Sequence, residues 1–290
     1  TAFWSHFVEH DWSQRAGVFK GLIAPPVTAD EAFQTVVAVA DGYRTNAASH
    51  RVRLYVDHAL QRTDLGQYLP HRRDRSLEAY AKRMERQIGG RTFGLVINDF
   101  QKYDAGLFLR LRSFLGGLYE FIDVPSSWAD VALFLGNYTT TPFGLHYDGD
   151  RGNNFTFVVA GRKRLLAWPR HVFPDHANTW GRLDYEPYRG EAVVLEGEPG
   201  DLLSWPSHFW HVAESDRRLS MTLSLSHDRP PQNGAKDPFS QVLALIDARL
   251  RGSAGARYCS YRLEDRGANA ASLPRVAAGI GAALRKVSRD

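Results

Sequence analysis

The 290-residue chain has a single cysteine, Cys259. That excludes an internal disulfide and any zinc site built from cysteines, and it suits a reducing, cytoplasmic setting. No apolar run reaches the roughly 18 residues that a membrane-spanning helix needs. A charged-then-apolar leader is absent from the first residues, and a start at Thr1 without methionine is what a trimmed chain would show. Charge of one sign does not dominate: 36 basic residues face 32 acidic ones, for a net charge of +4. The basic clusters His71-Arg-Arg-Asp-Arg75, Arg162-Lys-Arg164 and Arg217-Arg218 are short and scattered. No long basic stripe or recognised module accompanies them, so nucleic acid is not the expected partner. The sequence also lacks a phosphate-binding Walker motif, a dinucleotide glycine fingerprint and a Gly-x-Ser-x-Gly elbow. Their absence argues against nucleotide, NAD and serine-hydrolase chemistry.

What is present is ample material for a core, with 43% hydrophobic and 12% aromatic residues. The first third reads as mixed α and β. An aromatic-rich helix is expected over Phe3–Trp12. Thr28-Ala-Asp-Glu31 has the form of a capping box opening a helix that reaches about Gly42. A strand over Arg51–Asp57, a helix over Ser76–Gln87 stopped by Gly89-Gly90, a strand over Arg91–Asn98 and a helix over Ala105–Ile122 follow. From Ala129 the texture changes to short β runs separated by turns. Eight strands are expected: Asp130–Tyr138, Gly144–Asp148, Asn154–Ala160, Arg164–Trp168, Glu191–Glu196, Leu202–Trp205, Phe209–Ala213 and Leu219–Ser226. Such spacing fits a mainly β fold with flanking helices and a jelly-roll, cupin-like core, the double-stranded β-helix. The expected organisation is an N-terminal α/β region packing on the core (1–128), the catalytic core (129–228) and a C-terminal helical extension (229–290). Asp228–Ala235 reads as a linker, followed by helices over Pro238–Leu250 and Leu273–Val287. The stripe Val242, Leu243, Leu245, Ile246 and Leu250 would pair two subunits or pack on its own barrel.

Within this frame stands His146-Tyr-Asp148, with His211 sixty-three residues beyond Asp148 in the segment Trp205-Pro-Ser-His-Phe-Trp-His211. Two imidazoles and one carboxylate are the set that holds a non-haem Fe(II) on one face and leaves positions open. The triplet by itself says little. Eleven histidines and 32 acidic residues in 290 produce about one His-x-Asp/Glu by chance. A hydrogen-bonded surface pair explains His146 and Asp148 equally well, and an aromatic-core histidine would explain His211. The setting adds more: residues two apart in a strand share a face, so His146 and Asp148 point the same way. His208 competes as third ligand. His211 is preferred because it lies deeper in an apolar strand, where an unpaired imidazole is costly.

The segment Asn154–Pro169 reads as a hairpin joined at Gly161, directly after the metal motif. A lysine opening an inner strand, Lys163, can anchor a dicarboxylate through charge-assisted hydrogen bonds. As one of three consecutive basic residues it can equally decorate a turn. Trp168, Trp205, Phe209 and Trp210 read as core before pocket. The irregular stretch Pro169–Gly190, with His171, His176, Trp180, Tyr185 and Tyr188, reads as a lid over the site or a solvated loop.

Taken in order, His146-x-Asp148, Asn154-Phe155, Gly161-x-Lys163-Arg164 and Pro206-x-x-x-Trp210-His211 with Glu214-Ser215 resemble the JmjC/cupin-like 2-oxoglutarate oxygenases. The asparaginyl and ribosomal-protein hydroxylases are the nearest in pattern, and the resemblance covers roughly 130–227. It implies that His146, Asp148 and His211 ligate Fe(II), that Lys163 binds the distal carboxylate of 2-oxoglutarate, and that Asn154 lines the cosubstrate pocket. It further implies consumption of molecular oxygen, release of succinate and CO2, and hydroxylation of an unactivated C–H. The substrate would be a protein or peptide side chain, or a small metabolite such as an amino acid or a natural-product intermediate.

Two departures stand out. The family pattern places a threonine three residues before the first histidine, where this chain has Phe143. Thr141 lies five before, so Thr141, Thr139 or Tyr138 is left to assist Lys163. Two extra residues also separate Asp148 from Asn154, in a stretch containing Gly149 and Gly152. The competing class is a non-oxygenase metal cupin in which the same ligands hold Zn or Mn for isomerase, hydrolytic or binding work. Lys163 with Asn154 separates the two, because such a cupin has no need of a dicarboxylate anchor at that depth.

Overall fold

Local signals set the helices that flank the barrel. The computed structural model describes residues 2–21, 25–122, 130–149, 152–174 and 176–226. Helix α1 (Ala2–His10) is followed by strand β1 (Gly17–Phe19) and by α2 (Ala29–Thr45). Thr28 caps α2 as expected: its hydroxyl accepts from the Glu31 N–H at 3.2 Å, while the Glu31 carboxylate accepts from the Thr28 N–H at 2.8 Å. The helix runs three residues past Gly42. Strands β2 (Val52–Val56) and β3 (Ala59–Leu60) precede α3 (Leu77–Gln87), which Ser76 caps and which ends at Gly89 and Gly90, both at positive φ. After β4 (Phe93–Ile97), Asp104 caps α4 (Ala105–Leu118). This helix stops four residues earlier than the apolar pattern suggests. Its last turn holds Gly116 and Gly117, poor helix formers, and Gly117 lies against the Trp4 indole so closely that a Cβ would fall 2.4 Å from Nε1.

The barrel is built from β5 (Asp130–Gly136), β6 (Asn153–Ala160), β7 (Lys163–Trp168), β8 (Val193–Gly197), β9 (Leu202–Pro206), β10 (Trp210–Glu214) and β11 (Ser220–Ser226), with α5 (His176–Thr179) between β7 and β8. The larger sheet runs β1-β9-β6-β11-β5-β4-β2-β3, and the smaller runs β10-β7-β8. Residues 140–146 extend the smaller sheet along the free edge of β10, through antiparallel bridges Thr140 to Glu214 and His146 to His211. Two four-stranded faces thus alternate along the chain, as a jelly roll requires, and the fold is mainly β with flanking helices. Seven of the eight expected barrel strands appear within three residues of their expected bounds. The eighth, Gly144–Asp148, is reduced to bridge contacts. The N-terminal strands β4, β2 and β3 continue the larger sheet, and β1 closes its far edge against β9.

Three apolar clusters assign the faces of the barrel strands. Phe155, Phe157, Leu133, Leu135, Leu223 and Leu225 point outward into the main core, under the helices. Their neighbours point inward, where Val158, Leu165, Ala167, Leu203, Trp205 and Ala213 form the interior cluster. The outer face of the smaller sheet carries Leu166, Trp168, Trp210 and Val212. Here the 169–191 stretch is not simply a solvated loop: Trp180 comes within 6.2 Å of the His146 ring, centre to centre, while Phe173 and Tyr185 bury themselves on that outer face. Burial of each such side chain stabilises by about 1.5–3 kcal/mol. The Trp168 indole also donates to the Tyr188 carbonyl at 2.8 Å. The linker, the two C-terminal helices and the pairing stripe expected beyond His227 lie outside the described residues.

Candidate metal centre

The sequence-predicted triad converges. One ligand atom each from His146, Asp148 and His211 lies within 4.8 Å of the others. Antiparallel pairing brings them together: the His146 N–H donates to the His211 carbonyl at 3.1 Å, and the His211 N–H donates back at 2.8 Å. The Asp148 N–H in turn donates to the Ser207 carbonyl at 3.0 Å. Gly144 lets the histidine-bearing segment approach its neighbour. It sits at φ +71°, and a Cβ there would lie 2.4 Å from the Gly181 carbonyl oxygen. The reward is a pair of backbone bonds, from Leu145 N–H to the Arg182 carbonyl and from Gly181 N–H to the Leu145 carbonyl, both 2.8 Å.

Each side chain is oriented by a second partner. Nδ1 of His146 lies 2.9 Å from the Gly144 carbonyl, and Nδ1 of His211 lies 3.2 Å from the Phe209 carbonyl. Only a protonated Nδ1 can donate to a carbonyl, so each neutral imidazole presents the lone pair of Nε2. The amide of Asn154 donates to Oδ2 of Asp148 at 2.9 Å, and Asn154 Oδ1 accepts from the Ser226 hydroxyl at 2.8 Å. His211 Nε2 stands 3.4 Å from Asp148 Oδ2. Two adjacent ligands on a metal with bonds of about 2.0–2.2 Å are separated by ~3 Å, so little movement is needed. His208, the rival third ligand, is not part of the cluster.

Lys163 does not decorate a turn. It is 4% exposed and shares the inner face of β7 with Leu165 and Ala167, whereas its neighbours Arg162 and Arg164 are exposed and bound to Glu196. Its ammonium donates to the Tyr138 hydroxyl and lies 4.5 Å from the centre of that ring. Among the described residues no carboxylate comes within salt-bridge distance of it. Ala167, four residues along β7, is the cross-strand partner of His211. The lysine therefore looks into the same interior as the triad, from further down the barrel.

Thr141 is placed otherwise. Its hydroxyl donates to the Ala213 carbonyl at 3.1 Å and accepts from the Ala213 N–H at 3.0 Å, so the one donor it could offer a carboxylate is spent on the backbone of β10. Tyr138 is the residue that meets Lys163. Sequence reasoning overlooked the interior hydroxyls Thr156, Thr222, Ser224 and Ser226. The signal was available: Ser220-Met-Thr-Leu-Ser-Leu-Ser226 alternates hydroxyl and apolar residues with period two, which places every hydroxyl on one face. Thr156 and Ser224 bond across the strands at 3.0 Å.

The donor set fits a divalent metal with an anionic companion. Two imidazole nitrogens and a carboxylate oxygen face one point. Beside them the buried Trp205 Nε1 and Ser207 Oγ have no hydrogen-bond partner among the described residues. Trp205 lies 5.0 Å from the His211 ring, centre to centre. Buried donors left unpaired cost free energy unless a ligand or water meets them.

The fold is a cupin-like jelly roll, and the His-Asp-His cluster inside it could hold a metal ion. No family model matches the sequence, and no curated protein matches it. Among solved structures, the ribosomal oxygenase YcfD from Escherichia coli is similar at 18% identity and a TM-score of 0.45, over 89% of this chain and 58% of that one. Its complex with cobalt and 2-oxoglutarate is similar at 16% identity and a TM-score of 0.48, over the same shares of each chain, 89% and 58%. Oxalate decarboxylase OxdC from Bacillus subtilis aligns at 14% identity over 47% of this chain and 26% of its own, with a TM-score of 0.28. The chain thus spans less than two thirds of the length of these oxygenase structures. The likeness is one of architecture alone.

Proposed function

We propose that this chain is a metal-dependent oxygenase that uses 2-oxoglutarate to hydroxylate a C–H bond. The observation that carries the reading is the combination of the converged triad with Lys163. A buried ammonium with no carboxylate partner among the described residues, in the same interior as three atoms that could ligate a metal, is what an anion site set behind a metal site requires. A metal cupin working without a cosubstrate leaves that lysine without a purpose.

His146, Asp148 and His211 would hold Fe(II), and Lys163 with Tyr138 would bind the distal carboxylate of 2-oxoglutarate. With O2, the bound pair would supply the oxidant for a substrate C–H bond, 2-oxoglutarate being converted to succinate and CO2. The protein's own work is positional. The Gly144 and Phe209 carbonyls fix the imidazole tautomers, and Asn154 fixes the carboxylate. Phe143 and Trp205, in ring contact with His146 and His211, limit water around the ligands. A protein side chain and a small metabolite are both substrates that such a site accommodates, since fold does not fix substrate.

Anaerobic addition of Fe(II) and then 2-oxoglutarate tests the reading. A visible charge-transfer band is expected, absent in His146→Ala. Iron binding without any band would turn the assignment to a non-oxygenase metal cupin.

A further inference from the structure

The inner face of the larger sheet is not closed over its whole width. β5 and β11 are central strands, paired on both sides, yet their inward residues Ala132, Phe134, Ser224 and Ser226 are only half-buried. A central strand exposes one face only where a trough opens above it. The triad adjoins that trough, because Ser226 bonds Asn154 and Asn154 bonds Asp148. Towards β2 the trough becomes apolar and then cationic. The Phe143 ring lies 4.8 Å from the His146 ring, and Phe134 and Tyr55 lie 6.3 and 6.1 Å from Phe143. The Arg53 guanidinium also sits over the Phe143 ring, 5.5 Å from its centre.

Arg53 faces this side because Leu54 and Val56, the alternate positions of β2, point into the main core. Among the described residues it has one hydrogen bond, from Nη2 to the Asn98 side-chain oxygen at 3.0 Å, and no carboxylate within ion-pair distance. Whichever N–H of Nη2 meets Asn98, one two-donor edge of the guanidinium, Nε with Nη2 or Nη1 with Nη2, is left for a ligand, and such an edge matches two carboxylate oxygens.

Resting on the oxygenase reading, we propose that the trough takes a carboxylate-bearing substrate. Its acid group is held by Arg53, its apolar body crosses Phe143 and Phe134, and its reacting carbon is delivered beside His146. The substrate carboxylate is distinct from those of 2-oxoglutarate, which belong deeper, towards Lys163.

The test compares octanoate with octanamide, two probes of one shape that differ in charge, by calorimetric titration of the Mn(II)-loaded full chain with 2-oxoglutarate present. Octanoate is expected to bind at least tenfold tighter than octanamide in the parent, and the two should bind alike in Arg53→Met. Equal binding in the parent, no octanoate binding, or a preference that survives Arg53→Met would each overturn the proposal. The same titration run without metal or 2-oxoglutarate separates it from the oxygenase reading. An acid preference there that depends on Arg53 stands even if the charge-transfer band is never seen. Conversely, a band that persists in Arg53→Met with no acid preference keeps the oxygenase reading and removes the substrate class.

Discussion

Lys163 is buried against a phenol, and under the proposed function this gives a prediction with two opposed readouts. The side chain is 4% exposed, and its only described partner is a phenol that is itself 2% exposed. Exchanging buried ionic groups for apolar ones of similar volume is neutral or stabilising by about 1–4 kcal/mol. Lys163→Met alone, however, strips the Tyr138 hydroxyl of its donor, and an unsatisfied buried hydroxyl costs about 1–3 kcal/mol. The two nearly cancel, so the single variant should unfold within about 1 kcal/mol of the parent. The double variant Lys163→Met/Tyr138→Phe removes both groups and should gain about 1–3 kcal/mol, which raises the melting temperature by several degrees in a domain of this size. Affinity for 2-oxoglutarate should move the other way. Loss of a charge-assisted hydrogen bond of about 1.5–3 kcal/mol weakens binding by roughly 10- to 150-fold. Thermal unfolding without ligand and calorimetry on the Mn(II)-loaded protein read the two effects separately. A double variant that melts below the parent would make Lys163 a structural residue, and unchanged affinity for 2-oxoglutarate would refute the anchor.

Asn154→Ala should weaken metal binding about 10- to 100-fold with the fold retained by circular dichroism, because its amide donates to Oδ2 of Asp148 and so orients the carboxylate. Unaltered Mn(II) affinity would show that the carboxylate needs no such support. Acid should also loosen the N-terminal region through His71. Burial, together with repulsion from Arg44, Arg83 and Arg73, holds its pKa below the usual 6.5. A depressed histidine contributes stability that is complete above the unfolded value and is lost as pH falls towards the folded one. Melting temperature should therefore drop between pH 7.5 and 5.5, and drop less in His71→Gln; parallel profiles for the two proteins would remove His71 from the account. Asp74 acts only at lower pH: burial opposes its ionisation, but bonds from Arg83 and the His71 N–H outweigh that and keep its carboxyl below the usual range.

Period and punctuation made much of this legible in the sequence. The Thr28 capping box, the glycine pair after α3 and the turn-spaced β runs after residue 130 act within a few residues of themselves, and they appear where expected. The triad was legible for a similar reason, since strand parity forces His146 and Asp148 onto one face. What stayed open depends on cross-strand distance. Of the candidates Thr141, Thr139 and Tyr138, Tyr138 reaches Lys163 across 25 residues, while Thr141 bonds Ala213 instead. Strand β1 was missed because three residues carry no period, and only the open edge of β9 recruits them. The 169–191 stretch reads as a loop by composition, yet the outer face of the smaller sheet supplies the apolar surface on which it folds.

Division of labour between strand faces explains how one short sequence carries both fold and chemistry. On β6, Phe155, Phe157 and Val159 enter the main core while Asn154 and Thr156 turn inward; β11 repeats the pattern with Met221, Leu223 and Leu225 against Thr222, Ser224 and Ser226. The apolar half of each strand excludes water and holds the sheet. The polar half would be a liability in a closed barrel, because buried hydroxyls and amides gain little and lose hydration. It becomes an asset only where a metal, an anion or a substrate fills the space. The interior of this barrel is polar at the triad and at Lys163, and apolar around Val158 and Leu203. Where polarity is retained at a cost to the empty fold, the ligand must return it on binding. The double variant at Lys163 and Tyr138 therefore tests more than one contact: it asks whether the inner face was kept for a ligand at all.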